Sequence, residues 1–259
     1  MKENRNFSWM NPALAGRVLV FFSFTGLMNT YRLPRALVGR GIDSSSSATV
    51  LTQIKMAVSD KAAPYLTSTQ ILEATDYPYS LFAQNVSNFF SSFSINISEY
   101  TIDAFFGNIP GCIGEVSTFL LIIGGIYLMI KKIITWHIPL SMLLSFSAFA
   151  FIFGGLRNGM GLFSGDFVLQ VFSGGMILGA IFMATDMVSS PVTHKGMIIY
   201  GVSIGFFAFL LRYFGSLPES VSLAILLVNI FVPTIDRYVM PKRFGEVIKE
   251  AKKKKEVKA

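Results

Sequence analysis

Two sets of residues in this sequence are equipped for chemistry: a cluster of hydroxyls, and three carboxylates beside apolar segments. The hydroxyls form the run Asp43-Ser-Ser-Ser-Ser-Ala-Thr49, a polar island in a hydrophobic chain. Its composition admits two readings. One is a flexible serine linker. The other is a modification site, in which the Thr49 hydroxyl carries a cofactor. Arg32, Arg35 and Arg40 lie just upstream. They read either as partners for a phosphate or as ordinary interfacial anchors.

The carboxylates are Glu115, Asp186 and Asp236. An acidic group near hydrocarbon is costly and by default a functional candidate. Each also has a plain structural reading. Glu115 opens an apolar segment, where a helix dipole favours a negative charge. Asp236 has Arg237 and Lys242 nearby as interfacial partners. Asp186 closes an apolar segment, where the dipole opposes it, so it needs another partner. His137 and His194 have no metal-ligand spacing and read as non-catalytic, and Cys112, among glycines, reads as structural. With one Cys, an internal disulfide framework is excluded, as is a cysteine-based metal site. The sequence holds no glycine-rich nucleotide loop, no metal motif and no nucleophile–base constellation, which argues against a self-sufficient soluble-type enzyme.

The elements that must position these groups belong to a membrane protein. The chain has 259 residues, 52% hydrophobic and 14% charged, well under the roughly 25% charge of soluble domains. Much of the +7 net charge lies in the tail Lys249–Lys258. A basic end next to a membrane helix marks the cytoplasmic side and anionic lipid rather than nucleic acid. A polar start, Met1–Trp9, precedes an apolar run, but Arg17 interrupts that run and no small-residue cleavage site follows. This predicts a membrane helix, not a signal peptide.

Six segments approach the length of a span: Pro12–Met28, Val116–Ile134, Pro139–Phe153, Phe167–Ala184, Met197–Phe214 and Val221–Tyr238, the last kinked at Pro233. The expected fold is an all-α integral membrane protein with about six transmembrane helices. Its parts are a tail and first helix (1–29), a long loop (30–115), a five-helix membrane domain (116–240) and a basic tail (241–259). With the Lys-rich end in the cytoplasm, six crossings place the N-terminus there too. Lys131, Lys132, His137, His194 and Lys195 then fall inside, and Thr49 outside. The outer loop is rich in aromatic residues, suited to a membrane interface or a partner. The stretches 106–115 and 183–193, rich in Gly, Pro and polar residues, interrupt the apolar pattern at opposite faces, as expected of an inverted repeat with broken helices.

Several runs together resemble one known family. They are Asn11-Pro-Ala-Leu-Ala-Gly-Arg17, Asp43–Thr49, Gly107-Asn-Ile-Pro-Gly-Cys-Ile-Gly-Glu115, Ile134-Thr-Trp-His-Ile-Pro139, Phe182-Met-Ala-Thr-Asp186 with Ser190-Pro-Val-Thr193, and Pro233-Thr-Ile-Asp-Arg237. The chain is similar to RnfD, a membrane component of the Rnf complex, which is an ion-pumping ferredoxin:NAD oxidoreductase. It is similar also to NqrB, a component of the sodium-pumping NADH:quinone oxidoreductase. The resemblance implies FMN joined to Thr49 by a phosphoester and installed outside the cytoplasm by a flavin transferase. Asp43, Ser46 and Ala48 match that family's flavin motif around Thr49, and Ser47 stands where the motif has glycine. It also implies a non-covalent riboflavin in the membrane part, and Glu115, Asp186 and Asp236 along the ion path or around flavin. The implied partners are RnfA, RnfB, RnfC, RnfE and RnfG, and membrane lipid. The implied fold is a ten-helix, urea-channel-like inverted repeat, of which this chain supplies one half plus one helix. The expectation is therefore an incomplete bundle, or one that leans on other subunits. A different class sharing such folds, a non-redox solute transporter, is the competing reading, and Thr49 discriminates between the two.

Overall fold

The computed structural model describes residues 10–32, 34, 46–59, 65–94, 96–112, 114–215 and 220–239. Arg35, Arg40, Asp43 and the basic tail lie outside the described residues; of Ser46 and Ser47 the backbone alone is described. In chain order the elements are α1 (Pro12–Ser23), α2 (Thr25–Met28), β1 (Tyr31–Arg32), β2 (Ser46–Ser47), α3 (Val50–Ser59), α4 (Ser68–Ala74), α5 (Leu81–Ser91), α6 (Glu99–Phe106) and α7 (Thr118–Ile130). Next come α8 (His137–Phe153) with a 3-10 turn (Gly154–Asn158), α9 (Phe167–Phe172), α10 (Met176–Leu178) continuing as a π-helical turn (Gly179–Met183), α11 (His194–Tyr213), α12 (Val221–Asn229) and α13 (Val232–Val239).

The described chain is helical apart from one minimal antiparallel ladder, and it is an integral membrane protein. Two helices are long and apolar enough to cross a membrane, His137–Asn158 and His194–Tyr213. The pair α12–α13 makes a third if its 52° bend is taken as one broken span. The remaining apolar segments are shorter or interrupted. The first breaks at Phe24, between α1 and α2, and the second is the 13-residue α7. The segment 167–184, expected as one helix, breaks at Ser173–Gly175. There Gly174 and Gly175 take φ of +64° and +66°, a left-handed backbone that glycine adopts without a Cβ clash. The last segment bends at Ile230–Phe231, before Pro233. That proline sits in the first turn of α13, where its missing N–H costs nothing.

The membrane core forms around α8 and α11. Gly201 and Gly205 let the two backbones meet. A Cβ on Gly205 would fall 2.7 Å from the Met142 carbonyl oxygen, and one on Gly201 would fall 2.9 Å from that of Ile138. Small residues at membrane helix contacts serve this purpose. Gly205→Ala is therefore expected to cost about 1–3 kcal/mol as overpacking, read as a lower unfolding temperature in detergent. Adding Ser145→Gly, which removes the hydroxyl that the new Cβ would also meet, should recover only part of it, because the backbone carbonyl remains.

The stretch expected as a long loop holds four helices, α3–α6. They enclose a second core of Val50, Ile71, Leu72, Tyr77, Tyr100 and Ala104. Leu169 of α9 completes that core, and α9 also packs on α8, so α9 joins the two layers. A Thr67–Gln70 capping box starts α4. Asp103, only 2% exposed, ties α5 to α6: its carboxylate accepts from the Ser80 N–H, the Ser80 hydroxyl and the Asn108 amide. Hydrogen bonds to a buried charge contribute about 1.5–3 kcal/mol each. Asp103→Ala should thus open this layer first, seen as protease cleavage near α5 while α8 and α11 stay intact. Equal resistance in variant and wild type would refute that role.

Candidate functional site

Thr49 is the residue on which α3 begins. Its carbonyl accepts from the Gln53 N–H at 2.9 Å, and its Oγ1 accepts from the Thr52 N–H at 3.3 Å. This is N-cap geometry, satisfying a donor that the helix leaves open. Oγ1 also lies 2.8 Å from the Thr52 hydroxyl. The residue before it is fixed as well, because the Tyr77 hydroxyl donates to the Ala48 carbonyl at 2.9 Å. Further upstream, β2 pairs with β1, setting Ser46 opposite Arg32 and Ser47 opposite Tyr31. The run is thus held backbone-first at its C-terminal end. Of the three arginines, Arg32 is described and is exposed.

Thr49 lines a small cavity with Leu51, Pro110, Gly111, Glu115 and Gly174. Glu115 lies in the turn before α7, whose N-cap is Ser117. Its side chain, 5% exposed, pairs with Arg17 of α1 at 3.2 Å. Its other oxygen accepts from the Cys112 N–H at 3.2 Å. Cys112 Sγ lies 3.9 Å from the same guanidinium and 4.0 Å from the Tyr31 hydroxyl. A Cβ on Gly175 would meet Glu115 Oε2 at 2.8 Å, so the broken helix 167–183 gives the carboxylate its room. Arg17, which the sequence showed only as an oddity in an apolar run, is thus part of the site.

Asp186 and Asp236 do not join this cluster. Glu115 abuts Gly175, just before the α10–π segment, whereas Asp186 follows that segment's end. Asp186 accepts from the Ser189 hydroxyl at 2.8 Å. Asp236 is buried and accepts from the Val192 N–H at 3.3 Å. The two aspartates therefore clip the interrupted stretch 186–193 at both ends. The two histidines, read singly from sequence, stack on each other with centroids 4.5 Å apart, and Trp136 stacks on His137.

Sequence reasoning passed over a second, polar cavity lined by Lys55, Ser68, Arg157, Asp166, Gln170 and Arg212. Leu51 lines both cavities, so they are neighbours. Burial, and then Arg157 and Arg212, hold the Lys55 ammonium down at about 8. Burial pushes the Asp166 carboxyl up. Arg212 is 2% exposed and donates to the carbonyls of Gln170 and Gly174. It thereby holds the left-handed turn at Gly174, which lines Thr49's cavity. The residues of this cavity come from α3 and four distant segments, a grouping that no local spacing reveals. Among the described residues no group of three or more His, Cys, Asp or Glu is placed to hold a metal.

Comparison with known proteins finds relatives over most of the chain. The chain is 35% identical over 235 residues to the D subunit of the proton-translocating ferredoxin:NAD(+) oxidoreductase complex of Clostridium ljungdahlii, covering 91% of this chain and 61% of that one. It is 43% identical over 156 residues to the D subunit of the Na(+)-translocating ferredoxin:NAD(+) oxidoreductase complex of Acetobacterium woodii, covering 59% and 46%. It is 33% identical over 238 residues to the B subunit of the Na(+)-translocating NADH-quinone reductase of Klebsiella pneumoniae, covering 91% and 49%. The chain thus spans about half to three fifths of the length of these relatives. One family model matches residues 6–245, nearly the whole chain, and the chain belongs to the NQR2, RnfD, RnfE family.

Proposed function

We propose that this chain is an electron-carrying membrane subunit of an ion-translocating ferredoxin:NAD oxidoreductase complex, with FMN joined to Thr49 through a phosphoester. The observation that carries the reading is the setting of Thr49 in a chain of this family: it starts α3 and lines a cavity shared with Glu115. A phosphate on Oγ1 would lie at the positive end of that helix, where the first N–H groups lack helical acceptors. Those N–H groups would suit the phosphate of the group. FMN, when bound, supplies one- and two-electron transfer, and the tether keeps it at high local concentration beside its redox partners.

In this reading the layer α3–α6 faces away from the cytoplasm. A flavin transferase modifies it there, and the other Rnf subunits donate and accept the electrons. A non-covalent riboflavin in the membrane part belongs to the same reading. The relatives' names include both proton and sodium translocation, and the transported ion here is one of these two. The Klebsiella relative supports a second reading, in which the electron acceptor is a quinone. Membranes that reduce NAD with ferredoxin favour the first, and membranes that reduce quinone with NADH favour the second.

The modification itself is tested by co-expressing the chain with a flavin transferase and illuminating a denaturing gel with ultraviolet light. The wild-type band should fluoresce and the Thr49→Ala band should be dark. A dark wild-type band, in a host that labels a known acceptor, would point to the non-redox transporter class instead.

A further inference from the structure

We propose that α5 is an interfacial helix, whose aromatic stripe enters the headgroup–acyl boundary of the bilayer and ties the helical layer bearing Thr49 to the membrane surface. The stripe is Phe82, Val86 and Phe89, continuing to Phe93 just past the helix end. These positions follow i, i+4, i+7 and i+11, which fall on one face of a helix. Phe82, Phe89 and Phe93 are 48%, 62% and 65% exposed. The face that packs inward is a different one, carrying the buried Ala83 and Ser87, with the Ser87 hydroxyl donating to the Ile97 carbonyl at 2.9 Å. A third face is exposed and mostly polar, with Gln84, Asn88 and Ser91 following Leu81 at the helix start. The helix therefore has one side for its own layer, one for water and one apolar side left over.

Continuity with the apolar outward face of α7 is the argument for lipid as what covers that side. Phe82 meets Phe106 edge-on at 5.2 Å, and Phe106 meets Phe119 at 5.8 Å. Phe119 stands in the first turn of α7, whose outward face is apolar along its length: Leu120, Ile123, Ile126 and Ile130 are all exposed. The stripe thus begins two ring contacts away from the start of α7, whose exposed apolar face suits lipid in a membrane protein. The sequence agrees, since no charged residue occurs between Asp76 and Glu99. A face of phenylalanines set apart from a polar face is the amphipathic arrangement that suits insertion at a membrane interface.

The test uses the full chain in phosphatidylcholine nanodiscs. The two native tryptophans are removed by Trp9→Phe and Trp136→Phe, and Phe89→Trp becomes the probe. Its emission should fall about twofold or more when the lipid is replaced by one brominated near the top of its acyl chains. Gln84→Trp, on the polar face, should ignore bromine and respond to aqueous acrylamide. If Phe89→Trp responds to acrylamide alone, the stripe faces water and the proposal fails. It fails equally if neither quencher acts, because protein then covers the stripe. Phe93→Trp carries the same test should Phe89→Trp not fold.

Discussion

Thr49→Asn is expected to keep the fold of α3 and lose all covalent flavin. Thr49 has two roles that this substitution separates. As N-cap it accepts from the Thr52 N–H, and asparagine caps a helix about as well as threonine. As the proposed ester site it supplies a hydroxyl, which asparagine lacks. Thr49→Ala removes both, so it should be dark on the gel and also less stable by about 1 kcal/mol. That corresponds to a fall of about 2–4 °C in unfolding temperature for a chain of this size. Thr49→Ser keeps the hydroxyl and the cap, and should retain both flavin and stability. The flavin content is all or none while the stability change is small, so the two readouts cannot be confused. Fluorescence surviving in Thr49→Asn would move the ester to another hydroxyl of the run, and Ser46→Ala or Ser47→Ala would then locate it.

Part of this site could be read from the chain, and most of the unread parts share a cause. Asn11 capping a helix opened by Pro12 is a local signal, and Asn11 Oδ1 does accept from the Ala13 N–H at 3.0 Å. The apolar segments were visible because hydropathy sums composition over a window. The same sum hides a break: Gly174 and Gly175 are as compatible with a continuous apolar helix as with the left-handed turn they make. Whether such a glycine bends the chain depends on what must fit beside it, here Glu115 and Leu51. The partner of Glu115 was hidden because it lies 98 residues away. The close approach of Gly201 and Gly205 to α8 was hidden for the same reason. The helices of 50–106 could have been found. Ser80 as a cap and the i, i+4, i+7 spacing of Phe82, Val86 and Phe89 are local signals that a count of aromatic residues overlooks.

Glu115→Gln and Arg17→Met should each destabilise the chain by about 3 kcal/mol, toward the lower end of what breaking one side of a buried ion pair costs. The lower end applies because Arg17 is 27% exposed, against 5% for Glu115. The double variant should be more stable than the sum of the singles implies, since it leaves no charge uncompensated. If the two costs simply add, the pair is not coupled and this account of the site is wrong. With flavin bound, the same variants make a sharper distinction. Glu115 lines the cavity that Thr49 also lines, and reducing a flavin adds negative charge. Removing the carboxylate should therefore raise the flavin midpoint potential, and removing the guanidinium should lower it, each on the order of tens of millivolts. A purely structural role would loosen the site in both variants without opposite signs. Opposed shifts, measured by spectroelectrochemistry on protein still carrying its flavin, would show that Arg17 and Glu115 set the electrostatics around the cofactor as well as the packing of α1.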